Sequence, residues 1–378
     1  MANIAYQYRL YPNSEQAALF IRTFGCCRKA WNLMLADKIE YYKSEKKMLS
    51  TTPAQYKKDY PYLKEVDSLA LANVQMHLQS AFRKFFSEPN IGFPKFKSRK
   101  NGRASYTTNY VNGNIQIGDY GIRLPKAGSI RAKIHRKAPA GYRLKSVTVF
   151  MDKTGRFYVS VLYEYADETP AFVPSGSMTH LGLDYKSDGL YVDSEGKVCG
   201  MPHYYRKSEK RLSRAQRKLS RKQKGSANCE KQRRRIAKIQ QRTANRRKDF
   251  LHKTSSAITK RYDVISVESL NLKAMSKSLR LGKATMDNGY GMFCSMLAYK
   301  QARNGHVLVR VEKYFASSQL CSCCGYKNPS TKNLSIRKIR CPKCGVGYDR
   351  DINAAVNIDR EGKTSGIYAS HGTEKISQ

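Results

Sequence analysis

Acidic residues are scarce in this sequence. Only 29 Asp and Glu stand against 70 Lys and Arg, leaving a formal charge of +41 at pH 7. A surface so one-sided repels itself unless a polyanion neutralises it, which makes nucleic acid the expected partner. Long apolar runs are missing too. None approaches the roughly 18 residues needed to cross a bilayer, so no membrane partner is expected. The opening MANIAYQYRLYPN has no charged segment followed by an apolar stretch, so it reads as mature sequence rather than a signal peptide. A cytosolic setting is therefore expected, where the ten cysteines stay reduced and serve as metal ligands or core residues. There is no internal repeat.

At 378 residues the chain has room for several domains. IAYQYRLYP, from Ile4 to Pro12, alternates like a strand. From Ser14 to about Phe86 the period turns helical: Leu71, Val74, Leu78, Phe82 and Phe85 form one apolar stripe that ends at the breakers Pro89 and Pro94. Short strands follow, punctuated by NGN at Asn112–Asn114 and DKTG at Asp152–Gly155. The pattern predicts a β-rich module of residues 1–12 and 93–172, with residues 13–92 as a helical insertion. VPSGSM, Val173–Met178, reads as a linker. Beyond it THLGLDY and GLYVD are adjacent strands, residues 205–260 a long basic helical tract, and YDVISVESL and HVLVRVEKY two buried strands. Together they make a mixed α/β layer. The polar stretch 363–378 reads as a disordered tail.

The most specific chemical signal is a pair of cysteine knuckles. Cys321 and Cys324 have C-x2-C spacing, as do Cys341 and Cys344, and each pair is followed by a glycine, Gly325 and Gly345, that permits a tight turn. Four thiolates so arranged suit one structural Zn2+. Cys323 is a spare thiol, and Cys26, Cys27, Cys199, Cys229 and Cys294 read as small buried hydrophobes. Acids follow the second knuckle: in YDRDINAAVNI, Asp349 or Asp351 can cap a helix. Asp184 in LGLDYKSDG and Glu268 in DVISVESL sit at apolar strands, where an unpaired carboxylate is costly. Each of these acids can pair with Lys or Arg. Alternatively, carboxylates from separate elements converge on two Mg2+ ions and support phosphodiester hydrolysis.

GLDYKSDGLYV, SVESLNLKAM, DNGYGMFCSMLAYKQARNGHVLVRVEKYFASSQLCSCCG and CPKCGVGYDRDINAAVNI resemble, in order, the RuvC and zinc-ribbon motifs of TnpB, an insertion-sequence-encoded RNA-guided DNA endonuclease family related to type V CRISPR effectors. YRLYPNSEQ, KAWNLML, LKEVDSLALANVQ and FPKFKSRK are similar to that family as well, so the likeness spans nearly the whole chain to about residue 360. It implies a multidomain α/β protein: a β-barrel, wedge-like module carrying the helical recognition insertion, then an RNase H-like (RuvC) nuclease domain over residues 173–316. A four-cysteine zinc ribbon would fill residues 317–346, and a last RuvC segment residues 347–362. By position the family's catalytic acids fall on Asp184, Glu268 and Asp351, leaving Asp349 a supporting role. Arg337 matches a basic ribbon position and is expected to contact the scissile phosphate. Lys186 is a departure, standing where the family usually has glycine.

The same likeness implies the partners: a guide RNA derived from the element's end, and double-stranded target DNA bearing a short flanking motif, with one protein per guide. The residues agree. Arg206–Lys248 is basic on nearly every turn, opposed only by Glu209 and Glu230, as a phosphate-tracking groove requires. Twenty-six tyrosines offer stacking faces, although most belong to cores and strands. Asn73, Gln75 and Gln79 are candidates for motif reading or simply face solvent. Two rival readings are an RNA-guided DNA-binding protein that does not cut, and a transposase or nuclease that needs no guide.

Overall fold

The computed structural model describes residues 1–100, 104–169, 171–173, 177–278, 282–332 and 336–364. The chain divides into two compact units, Met1–Asp167 and Glu168–Gln378. The first unit thus closes a few residues before the expected boundary at 172. The linker expected at 173–178 lies partly outside the described residues, as does all but the start of the expected tail.

In the first unit β1 (Ala2–Tyr11) is followed by helices α1 (Ser14–Glu45) and α2 (Ser68–Ser87). Strands β2 (Ala104–Asn109), β3 (Gln116–Ile117), β4 (Gly121–Leu124), β5 (Gly128–Lys133), β6 (Arg143–Met151) and β7 (Phe157–Tyr165) complete it. All seven strands form one antiparallel sheet in the order β2-β6-β7-β1-β5-β4-β3. The N-terminal strand therefore lies inside the sheet that the later residues build, and the two helices are inserted between them. Asn13 and Gln16 start α1 with a reciprocal capping box, and Asp67 caps α2. One expectation needs correction. No ladder among the described residues joins β2 to β3, so the expected barrel is an open sheet; β3 is only two residues long, too short to close it. The inserted helices share the sheet's core: Phe20 packs tilted against Tyr106 and Phe157 of the sheet, and Leu71, Val74 and Leu78 belong to the same cluster.

The second unit opens with β8 (His180–Tyr185), β9 (Gly189–Asp193) and β10 (Val198–Gly200), then α3 (Tyr204–Ser220), α4 (Ala227–Thr259) and β11 (Val264–Glu268). Helices α5 (Leu272–Ser278), α6 (Gly282–Asn288) and α7 (Tyr290–Arg303) precede β12 (Val307–Val311). A small hairpin of β13 (Lys338–Arg340) and β14 (Gly347–Asp349) leads into α8 (Arg350–Thr364), so Lys363 and Thr364 are helical rather than tail. The five-stranded sheet runs β10-β9-β8-β11-β12, its first three strands antiparallel and its last two added parallel to β8. The basic tract forms the two helices α3 and α4. It breaks at Gly225, whose φ of +87° favours glycine, and Ser226 restarts it by accepting the Cys229 N–H.

One face of this sheet packs on α4 and α7 through Leu181, Leu183, Ile265 and Val267 with Leu251, Ile258, Phe293 and Leu297. Alternation sends Gly182 and Ser266 to the other face, where α8 lies. A Cβ on Gly182 would stand 2.6 Å from the backbone nitrogen of Asp359 and nearer still to the carbonyl oxygen of Ala355. Gly182→Ala is therefore expected to cost about 3 kcal/mol of unfolding free energy by urea titration. Gly200→Ala, with open space around its α-carbon, should stay within about 0.5 kcal/mol.

Candidate active site and metal centre

Parallel register pairs Leu183 of β8 with Val267 of β11, so the residues that follow them, Asp184 and Glu268, leave the two strand ends side by side. They emerge on the α8 face, where α8 contributes Asp351 from its first turn. Asp184, Glu268, Asp351 and Arg337 all line one cavity of about 230 Å³, together with Lys186, Asp188, Ser317 and Arg350. Asp349 does not line it. Its Oδ1 accepts the backbone N–H groups of Asp351 at 2.9 Å and Ile352 at 3.2 Å, so the first aspartate of YDRD caps α8 and the second faces the cavity.

The electrostatics follow from crowding. Asp184 opens onto the cavity but is otherwise densely surrounded by protein, and this loss of water pushes its carboxyl well above the usual carboxylate range. Repulsion from Glu268 and Asp351 adds to the effect, and Arg350 opposes it. Burial raises Glu268 as well, countered by the Ser317 hydroxyl donating to Oε1 at 2.5 Å. Asp351 is instead met by cations: Arg337 Nη1 lies 2.8 Å from Oδ1, and Lys186 Nζ 3.1 Å from Oδ2.

The four knuckle cysteines form a second centre. Cys321 Sγ lies 3.7 Å from Cys344 Sγ, and Cys324 Sγ 3.6 Å from Cys341 Sγ. Gly325 and Gly345 both have positive φ, and each donates its N–H back to the first cysteine of its knuckle at 2.9 Å. The four sulfurs share their protons unevenly: the Cys344 N–H leads the interactions that draw the Cys341 thiol down, while the Cys324 and Cys344 thiols are raised. An all-sulfur tetrad of this spacing fits zinc. Cys323 is exposed and outside the tetrad. Among the described residues this is the group of metal-capable side chains whose ligand atoms all lie within 4.8 Å of one another. The three acids stand wider, with Asp351 drawn toward its two cations. Their chemistry, oxygen donors whose charges repel, still suits a hard divalent ion such as Mg2+.

Reading the sequence missed what couples the two centres. Asn353 and Asn357, one turn apart on α8, donate to the carbonyl of Leu320 at 2.7 Å each, and Asn357 also to that of Ser317 at 2.8 Å. Asn353 Oδ1 in turn accepts the Ser322 N–H at 2.8 Å. The helix carrying Asp351 thus grips the turn that enters the knuckles, and Ser317 in that turn holds Glu268. The one available signal was the i, i+4 spacing of the asparagines in INAAVN. Of the remaining candidates, Asn73 is buried and donates to Leu69 within its own helix, while Gln75 and Gln79 keep solvent access. Cys26, Cys27, Cys229 and Cys294 are buried as expected, and Cys199 only half-buried on β10. On the α3–α4 hairpin, Lys222, Lys231, Arg234, Arg235 and Lys238 line an open basic recess of about 800 Å³.

Comparison with known proteins matches three family models in chain order. "Helix-turn-helix domain" covers residues 1–47, "Probable transposase" residues 160–279 and "Cas12f1-like, TNB domain" residues 290–358. The first spans β1 and the single long helix α1. The second includes Asp184 and Glu268; the third includes the four cysteines, Arg337 and Asp351. A Streptomyces pristinaespiralis protein named "Putative RNA-guided DNA endonuclease" is 36% identical over 366 residues, covering 94% of this chain and 88% of that protein. The Escherichia coli K12 "Putative RNA-guided DNA endonuclease InsQ" is 32% identical over 384 residues, covering 94% and 91%. Among solved structures, "Cryo-EM structure of the Cas12f1-sgRNA-target DNA complex" shares the fold with a TM-score of 0.58 at 14% identity, covering 92% of this chain and 83% of that one.

Two outcomes are expected. A carboxyl raised in the folded state costs stability as pH climbs from its unfolded value of about 3.9 through the folded one, because the unfolded chain releases its proton first. Asp184→Asn removes that cost, so in zinc-loaded protein without Mg2+ its melting temperature should exceed wild type by a margin that widens from pH 4 to pH 8. Elemental analysis should find one zinc per chain, lost in Cys341→Ala.

Proposed function

Because this chain belongs to the TnpB family of RNA-guided DNA endonucleases, we propose that it binds a guide RNA derived from its element's end and hydrolyses target DNA beside a short flanking motif. One observation carries the reading: three acids distant in sequence, Asp184, Glu268 and Asp351, line a single cavity next to a cysteine tetrad. In this reading the five-stranded layer is the RuvC, RNase H-like nuclease domain and the tetrad the centre of its zinc ribbon. Two Mg2+ ions held by the three acids would supply an activated water and neutralise the leaving oxygen.

The protein's own residues prepare that site. Ser317 orients Glu268, and Asn357 fixes Ser317. Arg337, with its side chain 58% exposed, can turn from Asp351 to a phosphate oxygen of the strand. The basic recess of the α3–α4 hairpin follows phosphates of RNA or of the guide–target duplex. Gln75 and Gln79 remain candidates for contact with the flanking motif. Asn73 is withdrawn, its amide being spent inside α2.

The test is plasmid cleavage by the full-length protein purified with its RNA. Wild type with Mg2+ should cut a plasmid carrying the matching target, and Asp184→Ala, Glu268→Ala or Asp351→Ala should each lower the rate by at least about 100-fold. Occupancy without cutting would favour the non-cleaving rival. Full activity after complete removal of RNA would favour a guide-independent nuclease.

A further inference from the structure

Lys186 occupies the cavity without a part in the chemistry just proposed. It lies in the β8–β9 turn, two residues beyond Asp184, and its backbone closes the turn normally. Its N–H donates to Leu190 at 3.3 Å, its carbonyl accepts from Gly189 at 3.2 Å, and its φ is not positive. Packing directs the side chain. A Cβ on Gly189 would come within 3.3 Å of Lys186 Cδ and 3.6 Å of Cγ, so the bare face of that glycine makes room for the lysine stem. The ammonium is thereby carried to 3.1 Å from Asp351 Oδ2 and 3.9 Å from Asp188 Oδ1.

Two cations consequently share Asp351, but unequally: Arg337 Nη1 donates to both oxygens, Oδ1 at 2.8 Å and Oδ2 at 3.1 Å, and Lys186 Nζ to Oδ2 alone. Arg337 approaches from outside, its side chain 58% exposed, whereas that of Lys186 is 26% exposed and held from below by the turn. The cavity lining sets four acids, Asp184, Asp188, Glu268 and Asp351, against three cations, Lys186, Arg337 and Arg350. Two divalent ions would overcharge such a site unless a phosphodiester came with them. Any ion taking Asp351 Oδ2 competes with the lysine ammonium and with Arg337 Nη1, each 3.1 Å from that oxygen, but only the exposed arginine is free to swing out to solvent. At water-like screening, a unit charge about 6 Å from a divalent ion changes its affinity about tenfold.

We propose that Lys186 is a positioning residue acting through Asp351: it holds that carboxylate in the metal-free protein and sets the divalent-ion concentration needed to fill the cavity. A bound phosphodiester gives the displaced ammonium a new partner, so strand and ions load together. The inference rests on the three acids being the ion site.

Mn2+ titration of the zinc-loaded, full-length protein with its RNA, followed by electron paramagnetic resonance without DNA, tests both layers. Asp351→Asn identifies the signal belonging to the cavity. Lys186→Met keeps the stem on Gly189 and removes the charge; it should bind Mn2+ about threefold to tenfold more tightly than wild type. Lys186→Gln should do the same, and Lys186→Arg should stay within about twofold of wild type. Equal zinc content shows that the variants are folded, and the Mg2+ concentration giving half-maximal cleavage should fall in Lys186→Met. Unchanged or weaker Mn2+ binding in both neutral variants overturns the role of Lys186 while leaving the nuclease reading standing. Mn2+ binding that Asp351→Asn leaves intact overturns the ion site itself.

Discussion

Where α8 meets the five-stranded sheet, the missing side chain of Gly182 lets the backbone at Ala355 and Asp359 come closer than any Cβ would allow. A second bare position, Gly362, meets Ser266 of β11 in the same way. These two contacts seat the helix across the inner strands, and the seating determines where its first turn lands. Asp351 then falls beside the strand ends that carry Asp184 and Glu268. A helix standing farther off would leave those two acids at the end of a sheet with no third partner.

The cysteine tetrad is tied into the same arrangement. Asn353 and Asn357 project from α8 one turn apart and bind the carbonyls of Ser317 and Leu320, so the segment leading into the knuckles cannot drift from the helix. Backbone carbonyls left without donors in that buried corner would be costly, which makes the asparagines structural necessities rather than ornaments. Ser317 extends the chain of contacts to Glu268. The cysteine tetrad and the carboxylates are thus one mechanical assembly, although their ligand chemistries are unrelated.

Charge acts on two scales. Across the whole chain the excess of Lys and Arg serves association with a polyanion, and the α3–α4 hairpin concentrates it on helices with only a small core of Leu212, Ala215, Ile236 and Ile239. Inside the cavity the balance is close, four acids facing three cations. The overall excess of charge therefore says little about the field inside the cavity.

Local signals in the sequence carried much of the design. Alternation in IAYQYRLYP, the glycine turns at 113 and 155, the i, i+3, i+4 stripe of α2 and the C-x2-C-Gly knuckles each depend on neighbours within a few residues, where backbone geometry and burial period dominate. The Gly225–Ser226 pair parts the two basic helices locally, whereas the open sheet follows from the length of β3, which no local pattern reveals. The shared core of α1 and α2 with the sheet and the buried amide of Asn73 required packing to decide. The residue pattern alone left Asp349 and Asp351 both open, and only the resemblance to TnpB pointed to Asp351. The contacts of Ser317 with Glu268 and of Lys186 with Asp351 join residues 49 and 165 positions apart, and such pairs are set by how layers stack. The sequence by itself determined which elements form and which side chains are able to bind ions. Only the tertiary structure decided which of them meet, because approach distances between a helix and a sheet depend on every side chain between them.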